Sequence, residues 1–184
     1  MTPPPVHPRV TEVARILREA GSSGEVRVLP ADVRTAAAAA AALEVPVGAI
    51  VNSLLFTAVG QPVLVLTSGA HRVDGGKVAA LLGVPSLEKA APEVVREVTG
   101  QPIGGVAPVG HPEPIGTLVD VELARHPRVW AAAGHPAAVF PTTYEELLAL
   151  TAGTAAEVGD GPSTPATGTV DGSPTPDVAE AVGT

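Results

Sequence analysis

Two stretches of this chain carry residue types that could do chemistry. The first is Ile50-Val51-Asn52-Ser53-Leu54-Leu55-Phe56, where an amide sits among β-branched and large apolar side chains. Such a run reads as a buried strand. Alternation puts Ile50, Asn52, Leu54 and Phe56 on one face and Val51, Ser53 and Leu55 on the other. An amide on an apolar face costs roughly 1–3 kcal/mol unless something hydrogen-bonds it. Asn52 is therefore either a satisfied structural amide or the polar reader of a pocket lined by its own face. The second stretch is Ile103-Gly104-Gly105-Val106-Ala107-Pro108-Val109-Gly110-His111, with three glycines and a proline within nine residues. It is too irregular for a strand and too apolar for an idle surface loop. Glycines let backbone N–H groups converge on a ligand, because they reach conformations closed to other residues and leave no side chain in the way. The alternative is a turn that needs positive φ.

Other chemistry finds less support. Ser68-Gly69 lacks the flanking glycine of a nucleophile elbow. Gly75-Gly76-Lys77 resembles the end of a phosphate loop, but His71 stands where the first glycine belongs and Val78 where the Ser or Thr belongs. Asp74 and Lys77 read instead as a helix cap and its first-turn partner. His7, His71, His111, His126 and His135 show no metal-ligand spacing, so neither metal nor other cofactor is expected. His111 and His135 each follow a glycine in a loop and could enter a pocket.

The elements that would position these residues can be read from periodicity and punctuation. The chain has 184 residues, of which 45% are hydrophobic and only 2% aromatic, so one domain with an aliphatic core is expected. It has no cysteine, which excludes disulfides and thiolate chemistry. No apolar run approaches the ~20 residues of a membrane span, and Met1-Thr2-Pro3-Pro4-Pro5 lacks the pattern of a secretory signal. A soluble, cytoplasmic protein is expected. The net charge of −8 falls to −3 for residues 1–151, because Glu157, Asp160, Asp171, Asp177 and Glu180 lie beyond them. A strongly basic nucleic-acid face is excluded, but a shallow grip on a single-stranded end is not.

In order, residues 1–9 are expected to be disordered and 10–152 to form the domain. Helices are expected over Thr11–Ala20, Ala36–Leu43 (capped by Asp32 or Thr35), Asp74–Leu82, Pro92–Val98 and from Thr143 to about Leu150. Strands are expected at Glu25–Leu29, Ile50–Phe56, Pro62–Thr67 and Ile115–Val119, with a hairpin of Arg128–Ala133 and Ala137–Phe140 closed by Gly134-His135-Pro136. A short helical segment is expected near Glu122–Arg125. Residues 153–184, rich in Gly, Pro, Thr and Ser, read as a disordered tail. The mixture predicts an α/β fold of the α+β type, with a mixed, largely antiparallel sheet packed against helices.

Taken together, these stretches resemble the signature of the YbaK/EbsC family, the stand-alone relatives of the editing domain inserted in bacterial prolyl-tRNA synthetases. The resemblance runs through Thr35-Ala36 to Leu43, Val45, Ile50 to Phe56 and Val63 to Leu66. It continues through Val73-Asp74, Lys77, Leu81-Leu82-Gly83 and the glycine–proline loop Gly104 to Gly110, with Pro108 four after Gly104. It covers about residues 10–152. It implies a curved, barrel-like sheet and hydrolysis of the ester joining a wrong amino acid to the 3′-terminal adenosine of tRNA. It also implies participation of the substrate's ribose hydroxyl, so that no obvious protein base is required.

On that resemblance, Asn52, Gly104 and Gly105 are the candidate catalytic residues, with the backbone N–H groups of Gly104, Gly105 and Val106 as oxyanion donors. Ile50, Ser53, Leu54, Val106, Ala107, Pro108, His111, Gly134 and His135 are the candidate substrate-binding residues, shaping a pocket for a small side chain. The implied partners are the tRNA 3′ end and, transiently, an aminoacyl-tRNA synthetase. The sequence departs from the family in two places. Asn52 replaces a lysine, which removes a charge and any proton transfer at neutral pH. Val139 or a neighbour replaces an acidic residue of the last hairpin. Two readings remain: a trans-editing deacylase for a small amino acid, or a binding module of the same fold with weak or no catalysis.

Overall fold

The computed structural model describes residues 6–160. The expected disorder of residues 1–5 and 161–184 lies outside them. Helix α1 (Pro8–Glu19) starts earlier than the sequence predicts, with Pro8 at its first turn and His7 as its cap. Proline suits that position, where its missing N–H has no helical partner to lose. A two-residue strand, β1 (Arg27–Val28), is all that forms of the expected Glu25–Leu29, and both residues are exposed. Helix α2 (Ala36–Leu43) is capped by Thr35, whose hydroxyl accepts from Ala38 N–H at 3.1 Å.

Strands β2 (Val51–Ala58) and β3 (Gln61–Ser68) form the central hairpin. Val59 (φ +50°) and Gly60 (φ +75°) make its two-residue turn, a left-handed pair that matches strand twist but strains the β-branched Val59. Asp74 caps α3 (Gly75–Leu82) by accepting from Lys77 N–H at 3.0 Å, and Gly83 ends it. Then come β4 (Glu88–Lys89), α4 (Pro92–Thr99), β5 (Gly116–Asp120), a short 3-10 turn at Val121–Arg125, β6 (Val129–Ala132), β7 (Ala138–Thr142) and α5 (Tyr144–Thr151).

The strands form two sheets. One, in the order β1-β7-β6, is antiparallel throughout. The other runs β4-β2-β3-β5 and ends on β8 (Thr154–Ala156); its β3–β5 and β5–β8 ladders are parallel. The sheets join where Ile50 bridges Trp130. The fold is thus mixed α/β, as the sequence predicts. The sequence reading ends the domain too early, however. β8 pairs with β5, Val158 is fully buried, and Asp74 N–H donates to the Val158 carbonyl at 2.8 Å. Small apolar residues spaced among Thr and Gly look like tail composition, yet they fit an open sheet edge.

The core is aliphatic and divided by sheet face. Val51, Leu55, Leu64 and Leu66 point to one side, where they meet Ala131, Phe140 and the buried Val106 and Ala107. Phe56, Val63 and Val65 point to the other, against Val78 of α3. A third cluster joins Leu29, Ala39, Ala40, Ile50, Trp130 and Val139. The alanines of α2 let the helix lie close to Trp130 and Val139, which a bulkier face would prevent. No helix of the described residues is long and apolar enough to cross a membrane.

Candidate functional site

A cavity of about 400 Å³ opens where three segments meet. Ala31, Val33 and Arg34 come from the approach to α2, and Ile103 and Gly104 from the glycine-rich loop. His135, Pro136 and Ala137 come from the turn between β6 and β7. Of the site residues expected from sequence, Gly104 and His135 are therefore brought together. Gly134 is their neighbour, buried beneath the turn.

The loop's shape has a local origin. Gly100, in the left-handed region (φ +69°), ends α4 and turns the chain outward. Gln101 then enters the core, 1% exposed, and its side chain organises the rest of the loop. Its Oε1 accepts from Ala107 N–H at 2.7 Å, and its Nε2 donates to the Val109 carbonyl at 3.0 Å. Gly105 allows a backbone-to-backbone approach: a Cβ there would lie 2.6 Å from the carbonyl carbon of His135 and 2.7 Å from Pro136 N. Gly134 does the same on the far side. Its φ is +88°, and a Cβ would lie 3.0 Å from the Arg9 carbonyl oxygen of α1. Glycines thus seat both the loop and α1 against the hairpin turn.

These contacts correct part of the expected donor set. The N–H of Gly105 donates to the Pro102 carbonyl at 3.0 Å, and that of Ala107 goes to Gln101. Among the described residues, no protein acceptor takes the N–H of Gly104 or Val106. Val106, Ala107 and Pro108 are buried, the first two in the main core, and do not line the cavity. His111 does not line it either: its Nε2 contacts the Ala107 carbonyl at 2.9 Å and staples the loop. Burial holds its pKa below the usual imidazole value, and the Ala107 hydrogen bond only partly opposes this. Gln101 is not singled out by the sequence. Its one signal is a polar residue directly after a helix-ending glycine.

The strand carrying Asn52 lies apart from this wall. Asn52 is half-buried and opposite Thr67, and its amide makes no hydrogen bond with any described residue. At half burial it is open to solvent and is not one of the buried polar atoms left without a partner. Leu54 packs at the edge of the cluster on the α3 side, and Ile50 packs with Trp130 and Val33, the last of which also lines the cavity. Ser53 faces the main core, where its Oγ is buried without a partner; Trp130 Nε1 is buried likewise. Val139, one of the residues that could stand in the place of the family's acid, is buried in one cluster with Leu29 and Ile50, an apolar setting in which a carboxylate would be costly.

Thr67, beside Asn52, belongs to a buried network that sequence reasoning also misses. Asp120, 1% exposed at the end of β5, accepts at Oδ2 from Thr67 Oγ1 (3.1 Å) and Ser68 N–H (3.0 Å). His71 Nδ1 contacts the same oxygen at 3.0 Å, and Oδ1 accepts from Glu122 N–H at 3.1 Å. Four donors make a buried carboxylate tolerable. From sequence, Asp120 shows only the signal of a cap before a helical turn, a role it also fills.

Comparison with known proteins agrees with this architecture. The profile of the family described as aminoacyl-tRNA editing domain matches residues 30–150. Proline–tRNA ligase of Latilactobacillus sakei is 34% identical over 117 residues, which are 61% of this chain and 21% of the ligase. That of Oleidesulfovibrio alaskensis is 43% identical over 68 residues, 37% of this chain and 12% of the ligase. The chain thus spans about a fifth or less of these ligases. A crystal structure of a candidate trans-editing enzyme for prolyl tRNA synthetase matches with a TM-score of 0.81 and 44% identity, over 85% of this chain and 100% of that one. With its profile spanning the cavity, the loop and the strands from β2 to β7, this chain belongs to the aminoacyl-tRNA editing domain family, that of the YbaK/EbsC proteins.

Proposed function

We propose that this protein is a trans-editing deacylase that hydrolyses the ester of a small amino acid on a mischarged tRNA. The cavity carries the reading: its wall combines small apolar side chains with the backbone of Gly104, whose N–H has no protein acceptor among the described residues. Ala31, Val33 and Ala137 leave room for a methyl-sized side chain and a ribose, and disfavour charged substituents. Ester hydrolysis needs donors for the oxyanion of the tetrahedral intermediate, and one such donor is worth a factor of about 10²–10³ in rate. Gly104 N–H is the candidate that lines the cavity. The half-buried amide of Asn52 can hydrogen-bond a ribose or carbonyl oxygen but cannot carry a proton. Positioning of the attacking water then falls to the substrate's own ribose hydroxyl, as the family resemblance implies. Transient contact with a synthetase would deliver the mischarged tRNA.

Asn52 also favours a second reading, a binding module in which loss of the lysine removed catalysis. A panel of mischarged tRNAs, including alanyl and cysteinyl esters on tRNA for proline, separates the two. Deacylation by wild-type protein supports the enzyme. An inert wild type together with an active Asn52→Lys variant supports the binding module, and inactivity of both sinks the deacylase reading.

A further inference from the structure

Another cavity, of about 410 Å³, opens at the far end of β7, where the loop before β1 meets the starts of β6 and α5. Gly24 builds it: a Cβ there would collide with the Pro141 carbonyl oxygen, so glycine lets this loop cross the strand. The wall carries both signs of charge, with Arg27 and Arg128 on it beside Glu25 and Glu146. Opposite charges on one wall would ordinarily pair, yet among the described residues none of these four forms an ion pair.

Two of the four are instead held by other neighbours. The Arg27 guanidinium carbon lies 4.9 Å from the centre of the buried Trp130 ring, a cation–π contact. Glu146 Oε2 accepts from the hydroxyl of the buried Thr142, and its backbone N–H donates to Thr143 Oγ1 at 3.1 Å. Glu146 Oε1 is left without a partner among the described residues.

A wall that carries guanidinium and carboxylate groups without pairing them fits a ligand that brings both charges itself. A bare anion would be repelled by Glu25 and Glu146, and a bare cation by the two arginines. The planar fork of arginine matches a carboxylate, and a carboxylate oxygen accepts from an ammonium. Val26, Pro127 and Pro141 add apolar surface for a side chain. The volume falls within the roughly 300–1,000 Å³ of small-molecule sites.

We propose that this cavity binds a free α-amino acid as its zwitterion, with the carboxylate held by Arg27 and Arg128 and the ammonium by Glu146 and Glu25. It shares no lining residue with the cavity at Gly104 and His135, and the inference does not rest on the proposed function.

The test uses the chain's single tryptophan, whose fluorescence reads the Arg27 contact directly. The full chain is titrated with L-alanine and L-proline, with propionate and isopropylamine as controls that carry one charge each, and calorimetry supplies the affinities. At least one amino acid is expected to change the Trp130 emission saturably, and each control to bind at least tenfold more weakly. Arg128→Ala should weaken amino-acid binding about tenfold, the loss of one charge-assisted contact. Glu146→Gln, which keeps an acceptor for Thr142, should weaken the amino acid and leave propionate unchanged. Arg128 is exposed and without an ion pair among the described residues, so its variant is expected to melt with wild type, which verifies folding. The assignment is overturned if neither amino acid gives heat or an emission change, or if propionate binds as tightly as the amino acid. An Arg128→Ala variant that binds as well as wild type would place the amino acid elsewhere and overturn it too. No arm uses a charged tRNA, so failure of this site leaves the proposed function standing, and the reverse.

Discussion

The packing of Gly105 against the hairpin turn makes a sharp prediction, because adjacent Gly104 supplies its control. A Cβ at Gly105 would lie 2.6, 2.7 and 2.8 Å from the His135 carbonyl carbon, Pro136 N and His135 Cα. All three are backbone atoms, so no side chain can rotate away. Ordinary contact begins near 3.4 Å, and the loop and turn must separate by several tenths of an ångström or more. Overpacking of this kind costs about 1–3 kcal/mol, and the rigid backbone places Gly105→Ala toward the upper end. For a domain of this size, 1 kcal/mol corresponds to roughly 2–4 °C in Tm, so a fall of about 5–10 °C is expected.

At Gly104 a Cβ meets nothing within 4 Å, and only the left-handed backbone (φ +82°) opposes the change. Gly104→Ala should therefore cost about 1–2 kcal/mol, the ordinary penalty of that conformation. Thermal denaturation of the two variants beside wild type decides the matter. The larger loss should fall on Gly105→Ala, and so should the larger loss of deacylation, since separating loop and turn moves Gly104 away from His135. A Gly105→Ala variant that melts with wild type, or above Gly104→Ala, refutes the claim that a backbone approach builds the cavity wall.

Two further outcomes are expected from the same loop. Gln101→Leu leaves the buried Ala107 N–H and Val109 carbonyl without partners; at about 1–3 kcal/mol for each unsatisfied group, a loss near 3 kcal/mol is expected in denaturant titration, with activity falling alongside. His111, its folded pKa lowered by burial, should make stability pH-dependent: the unfolded chain binds the proton more readily, so stability is complete above the unfolded value near 6.5 and declines as pH falls through it toward the lower folded value. Melting curves from pH 5 to 7.5 should show this decline in wild type and a smaller one in His111→Gln, whose amide can still donate to the Ala107 carbonyl.

Much of the fold is legible in the sequence because its signals are local. Thr35, Asp74 and Thr143 each accept from an N–H three residues on, and Gly83 and Gly100 adopt the left-handed ends that their helices need. A cap and its helix lie within one window of sequence, so their physics can be read there. The hidden features depend on partners far away in the chain. β8 looks like tail until the free edge of β5 is in place, and His7 looks like linker until Gly134 lets α1 reach the hairpin. Asp120 looks like a cap until Thr67, Ser68 and His71 converge on it. The loop is legible as a glycine-rich site element, but not the division of labour within it. Gly104 faces the cavity, Gly105 serves packing, and Gln101 holds the interior.

Asn52 brings both levels together. Its strand context offers two readings, and a structural amide in that setting would be hydrogen-bonded. Thr67, the polar side chain directly opposite, gives its hydroxyl to Asp120, and the Asn52 amide is left without a partner among the described residues. A half-buried amide is still reached by water, so the missing protein partner costs little by itself. On the proposed function, the amide is open to a water or to an oxygen of the ligand. Losing the lysine then changes the chemistry in one respect, because a charge is replaced by a neutral donor and acceptor. In the proposed mechanism, an oxyanion stabilised by Gly104 N–H and a water positioned by the substrate's hydroxyl would not need that charge. Asn52→Lys is therefore expected to alter binding more than rate, and a variant whose gain lies in kcat instead would show that the chemistry needs the charge.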